Sequence, residues 1–294
     1  MPRSYPSGGE GEAGLAHRRR ITGPLLGAVL LGLLLWWPAE GSAAPAAVPG
    51  VVVLTLHEVA PGEPDNPYVL SPGEFRELVE GVLRLGYRFI DLETLHAFLE
   101  GGRTVPAGAV LLTFDDGYRG VYDYAHPVLV EYRVPAVVFP VMKWFTPFPR
   151  PEPHREHLTA AQVGTMLASG LWAFGGHSFD GHRHIPGAGP YLTTRLPGET
   201  HEDYLARVRT DVDLMTRELL ELGVPPLDFA APYGAVNDDL RALLREAGYR
   251  YIFLCGEGPV PNRPGAREIH RLTVTDVPRT LRLLRDLLPL PPAE

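Results

Sequence analysis

From residue 51 onward, short apolar runs alternate with stretches of helical periodicity. VVVLTL (51–56) reads as a buried strand, and Ser71-Pro72-Gly73-Glu74 is a capping box with proline at the first helical position. Phe75, Leu78, Val79, Val82 and Leu83 then follow helical spacing. YRFI (87–90), AVLLTF (109–114), PAVVFPV (135–141), LWAFGG (171–176), LDFAAP (227–232), YRYIFL (249–254) and EIHRLTV (268–274) read as further strands. Between them the pattern predicts helices at 92–102, around 119–132, at 159–168 and near 238–247. The longest is expected near 202–222, with Tyr204, Val208, Val212, Met215, Leu219 and Leu222 on one face and Gly223 as its stop. LRLLRDLL (281–288) closes the series as an amphipathic helix.

Seven or eight strands alternating with helices imply an α/β fold, either an open parallel sheet or a (β/α) barrel, and strand number and chain length favour the barrel. No internal repeat interrupts the series. The Pro- and Gly-rich pieces at 60–68, 145–153 and 186–198 are of βα-loop length, so residues 49–294 are expected to form a single domain.

The first 48 residues carry a different pattern. His17-Arg18-Arg19-Arg20 precedes the apolar run ITGPLLGAVLLGLLLWW (21–37), and small residues follow in AEGSAAPAA. This is the order of a signal peptide, or of a membrane anchor retained through residues 21–37; in either case the rest of the chain is expected to be exported. Cys255 is the only cysteine, so no internal disulfide is possible, and the exported domain must hold together by its core. The net charge of −8 offers no basic footprint for nucleic acid. Apolar residues at 45% and charged residues at 21% describe an ordinary globular chain, expected as a monomer.

In a (β/α) barrel the chemistry lies at the carboxyl ends of the strands. After 51–56 comes His57-Glu58, after 109–114 Asp115-Asp116-Gly117-Tyr118, after 171–176 His177-Ser178-Phe179-Asp180-Gly181-His182, and after 227–231 Pro232-Tyr233-Gly234. Each stretch alone has a structural reading as a turn or polar loop; together they fall on one rim. Two adjacent carboxylates at a buried strand end need positive charge, which a divalent cation supplies. One Asp can then bind the ion while its neighbour faces away, free to act as a base. Two histidines and a carboxylate leave coordination positions open, as hydrolytic metal sites require.

LTFDDGY (112–118), HSFDGH (177–182) and AAPYG (230–234), in that order, resemble the polysaccharide deacetylases with a NodB-homology domain. The five-residue histidine step, LTLHEV near the start and FAAPYG near the end are most similar to the poly-β-1,6-N-acetylglucosamine N-deacetylase branch. The resemblance spans about residues 50–275 and implies a distorted (β/α) barrel performing metal-assisted amide hydrolysis on an N-acetylated polysaccharide. It implies Asp115 as general base, Asp116, His177 and His182 as metal ligands, and His57 as general acid. Pro232, Tyr233 and Gly234 would form the oxyanion turn, with the Tyr233 backbone N–H as donor, and His184 would be a bystander. Zinc is the first choice by ligand type, with nickel, cobalt, iron or manganese also compatible.

Two departures from the family pattern stand out. Many members carry Arg two residues before the Pro of this turn, buttressing the base, and here that position is Ala230. The later leucine–histidine motif has no clean match; His270, just before Arg271, is nearest and is the alternative acid. Peptidoglycan or chitin oligomers are alternative substrates, and an inactive carbohydrate-binding protein is the rival from another class. Trp144, Phe145 and Phe148 could stack on sugar rings or cap the barrel.

Overall fold

A computed structural model describes residues 50–63, 65–145, 155–255 and 261–290. The N-terminal charged and apolar segments and Phe148 lie outside these residues. Among the described residues no helix is long and apolar enough to cross a membrane.

The strands in chain order are β1 (Val51–Leu56), β2 (Glu58–Val59), β3 (Val69–Leu70), β4 (Arg88–Phe89), β5 (Ala109–Asp116), β6 (Ala136–Pro140), β7 (Trp172–Phe174), β8 (His184–Ile185), β9 (Gly189–Pro190), β10 (Asp228–Ala230), β11 (Tyr251–Cys255) and β12 (Glu268–Thr273). The helices are α1 (Pro72–Arg84), α2 (Leu92–Leu99), α3 (His126–Tyr132), α4 (Ala160–Ala168), α5 (His201–Glu221), α6 (Asp238–Glu246) and α7 (Val277–Leu287). The Ser71–Glu74 capping box forms as expected. The helix expected around 119–132 divides into a π-helical turn, Val121–Ala125, followed by α3. The short pairs β2–β3 and β8–β9 carry too few residues to show a period.

Seven strands run parallel in the order β10-β11-β12-β1-β5-β6-β7, and β4 pairs with the first residues of β5 on the edge that β6 takes higher up. The sheet curls until its two edges meet at a single parallel bridge, Gly176 to Phe229. Gly176 N–H donates to Asp228 O and Ala230 N–H donates to Gly176 O, each at 2.8 Å. The expected distorted barrel is therefore present, closed by two hydrogen bonds. Glycine is required at the seam: a Cβ on Gly175 would lie 2.5 Å from Phe139, and one on Gly176 would lie 2.6 Å from Met215 Sδ.

Strand alternation divides the core into two sets. Val52, Leu54, Leu56, Val110, Leu112 and Phe114 face outward to the helices. Val51, Val53, Ala109, Leu111, Val137, Phe139, Tyr251, Phe253 and Ile269 fill the interior, with Leu92, Leu95, Phe98 and Leu99 of α2 packed onto them. Continuing the inner register toward the carboxyl ends puts Thr55, Thr113, Asp115, Cys255 and Arg271 on the interior-facing side. The interior thus changes from apolar to polar toward one rim, with Thr55 and Thr113 hydroxyls 3.2 Å apart at the transition.

Candidate metal centre and cleft

The last two residues of β5 send their carboxylates in different directions. Asp115 keeps the inner register. Asp116 adopts φ 68°, followed by Gly117 at φ 78°, so the chain turns sharply at the rim. A left-handed Asp costs roughly 1–2 kcal/mol, a strain that persists only where the surroundings impose it. Gly117 is needed for space as well, since a Cβ there would lie 2.8 Å from that of Pro140.

The turn carries Asp116 to the two histidines. Asp116, His177 and His182 each offer a ligand atom within 4.8 Å of the others. Asp116 Oδ1 is 3.4 Å from His177 Nε2 and 3.3 Å from His182 Nε2. His177 Nδ1 lies 2.8 Å from the Ala230 carbonyl, an acceptor only, so this nitrogen carries the proton and Nε2 faces the cluster. Asp116 Oδ1 is buried and has no hydrogen-bond partner among the described residues. Burial, and then the neighbouring His177, push His182 down to about 4, so it presents a lone pair at neutral pH. Burial opposes charge on Asp116, yet the neighbouring imidazoles, His177 first and then His182, hold its carboxyl well below the usual range. Burial likewise opposes charge on His177, and Asp115 and Asp116 override it, raising that group. An O,N,N donor set with an orphaned buried carboxylate oxygen fits a divalent ion with coordination positions left over.

Asp115 is held by a residue that motif reading missed. Arg271, on β12 and fully buried, donates from Nη1 to Asp115 Oδ1 at 2.7 Å and from Nη2 to Oδ2 at 2.8 Å. Nη2 also contacts Cys255 Sγ at 3.2 Å. Burial would raise the Asp115 carboxyl, but Arg271 and then His177 hold it below its ordinary value. The Ala230 position that lacks the family arginine is thus answered from another strand. The signal was available in EIHRLT: Ile269 faces inward, so Arg271 must as well, whereas His270 faces out. His270 is exposed, its backbone is tied to the Asn262 side chain, and it does not line the cleft.

A cleft of about 820 Å³ opens over these groups and is lined by His57, Asp115, Asp116, His177, His182, Tyr233 and Arg271 among others. His57 follows β1 on the same rim, its ring edge-on to Tyr68 at 5.0 Å. Its Nδ1 is buried without a hydrogen-bond partner among the described residues. Pro232, Tyr233 and Gly234 form a tight turn with Tyr233 at φ 58° and Gly234 at φ 69°. A Cβ on Gly234 would fall 1.9 Å from the Cys255 carbonyl oxygen, so no other residue fits there without moving β11. The Tyr233 ring is 45% exposed and lies over His182 at 4.6 Å, with its hydroxyl 3.5 Å from His182 Nδ1. His184 is outside the cluster and packs edge-on against Tyr233. Trp144 lies against His157, 6.1 Å from His182 between ring centroids.

A closed parallel barrel with an Asp–His–His cluster beside an arginine-paired carboxylate has the donor set and adjacent carboxylate that metal-assisted hydrolysis requires. The family model described as polysaccharide deacetylase matches residues 102–252, and the chain belongs to that family. It is 27% identical over 250 residues to a poly-β-1,6-N-acetyl-D-glucosamine N-deacetylase of Escherichia coli K12, covering 78% of this chain and 37% of the relative. The chain therefore spans little more than a third of that relative's length. Among solved structures it is similar to IcaB from Ammonifex degensii, with a TM-score of 0.71, 29% identity and coverage of 81% of this chain and 97% of that one. The deacetylase domain of BpsB from Bordetella bronchiseptica aligns with a TM-score of 0.65 and 27% identity, over 76% of this chain and 96% of the other.

Proposed function

We propose that this chain is an exported, metal-dependent N-deacetylase acting on N-acetylglucosamine residues of a β-1,6-linked polysaccharide. One observation carries the reading: the Asp116–His177–His182 cluster and the Arg271-paired Asp115 open into the same cleft. The likeness to poly-β-1,6-N-acetylglucosamine deacetylases supports the substrate, and the N-terminal charged, apolar and small-residue segments support export, by a signal peptide or by an anchor retained through residues 21–37.

Asp116, His177 and His182 would hold the ion. Bound there, a divalent cation, zinc by first choice and nickel, cobalt, iron or manganese by the same donor chemistry, supplies Lewis acidity for carbonyl polarisation and water activation. Asp115, kept ionised by Arg271, accepts the proton of the attacking water. The Tyr233 backbone N–H donates to the oxygen that becomes negative on the tetrahedral carbon, with Pro232 and Gly234 fixing the turn. His57 delivers a proton to the departing nitrogen as the carbon–nitrogen bond breaks. Acetate leaves, and the sugar keeps a primary amine that becomes ammonium in water.

The test is acetate release by the purified chain after chelation, with and without restored zinc or cobalt, on β-1,6-N-acetylglucosamine oligomers, chitin oligomers and peptidoglycan. Metal-dependent release from the first is expected. Release confined to another polymer would reassign the substrate, and silence on all three with metal bound would favour a binding protein. In the same assay His57→Ala should lower kcat by about 10²–10⁴-fold, the usual worth of a general acid. Its metal content should be unchanged; loss of the ion instead would move His57 into the ligand set.

A further inference from the structure

The two histidines of the cluster are five residues apart on a loop, so neither a helix nor a strand sets the distance between them. Backbone contacts supply part of the answer. Met142 N–H donates to Ser178 O and Lys143 N–H to Phe179 O, each at 3.0 Å, extending the β6 edge along one side of the loop. At its far end Gly181 packs on Leu192 so closely that a Cβ would lie 2.5 Å from it.

The other side of the loop is held from α5 by the side chain of Asp211. Asp211 sits on the buried face of α5 among Tyr204, Val208, Val212 and Met215, where the helical pattern otherwise demands apolar residues, and it is 7% exposed. Its Oδ1 accepts from Phe179 N–H at 2.9 Å and its Oδ2 from Asp180 N–H at 2.8 Å. Asp180 meanwhile directs its own carboxylate away, to Lys143 at 2.9 Å and Arg183 at 2.8 Å. A carboxylate clamped on two successive amides fixes both the position and the tilt of the peptide between the ligands, which a single hydrogen bond would not.

We propose that Asp211 is a positioning residue that sets the separation of His177 and His182, and through it the affinity of the cluster for a divalent ion. The proposal rests on Asp116, His177 and His182 being the ligands. Partners that orient ligands without touching the ion typically change metal affinity by about 10–100-fold when removed. Asp211→Asn keeps the shape and one acceptor but sets an amide N–H against a backbone N–H; Asp211→Ala removes both acceptors.

The experiment is titration of the metal-stripped full chain with cobalt(II), followed by visible absorption, alongside thermal melting of the same stripped proteins. Asp211→Asn is expected to bind cobalt about 10–100-fold more weakly, with a shifted absorption band, and Asp211→Ala more weakly still. Val208→Ala, which loosens the same helix and removes none of the loop's hydrogen bonds, should lower the melting temperature and leave affinity and band unchanged. Wild-type affinity and spectrum in both Asp211 variants would overturn the positioning assignment while leaving the proposed function standing. Failure of the wild-type chain to bind cobalt would overturn the metal reading and this inference with it.

Discussion

Asp115→Asn should retain its divalent ion and lose acetate release by about 10²–10⁴-fold, the contribution of a positioned general base. His182→Ala should lose both. The contrast follows from the way the β5 terminus separates two adjacent carboxylates. Asp116 turns through a left-handed backbone to reach His177 and His182, while both oxygens of Asp115 are taken by Arg271. Asparagine at 115 therefore leaves the cluster's three donors in place and removes only the group that can accept a proton. Metal content and acetate kinetics on the same preparations check the pair. Full turnover by Asp115→Asn would remove it from the base position, and loss of the ion would mean the two acids share the cluster.

Much of this arrangement is legible from the chain, because the barrel converts strand ends into a rim. Finding His57, Asp115-Asp116, His177 to His182 and the Pro232-Tyr233-Gly234 turn behind four different strands was sufficient to bring them to one cleft. Element positions followed for the same reason: buried parallel strands and amphipathic helices leave different periods, and capping signals such as Ser71 and Glu74 mark a start. What motif reading missed is side-chain reach across the barrel. Arg271 lies far along the chain from Asp115 and outside any motif, and only the in–out alternation of β12 marks it as interior. Asp211 was hidden differently. It occupies a helix position that periodicity assigns to the core, and its partners are backbone amides, which carry no residue-type signal. The closure at Gly176 and Phe229 is likewise a two-bond event with no pattern of its own.

Arg271→Met should be the most destabilising single change in the barrel interior short of a cavity in its core. The guanidinium is fully buried and the Asp115 carboxylate nearly so, each other's principal partner. Removing one member of such a pair leaves an uncompensated charge, a loss of about 3–5 kcal/mol. Asp115→Asn should show part of the same penalty, with Arg271 left facing a neutral amide. The double variant Asp115→Asn/Arg271→Met then discriminates between two origins of the effect. If the penalty is the unpaired charge, the double variant should be less destabilised than the sum of the singles by about 1–3 kcal/mol, the range for directly coupled groups. If Arg271 merely fills space, against Phe139 and Cys255, the two losses should add. Denaturant unfolding of the four metal-stripped proteins measures this. Activity supplies the second axis: Arg271→Met retains the Asp115 carboxyl but deprives it of the charge that keeps it ionised and aimed, so kcat should fall while cobalt affinity stays near wild type. Additive stabilities with undiminished kcat would reduce Arg271 to packing and leave the Ala230 position without a counterpart.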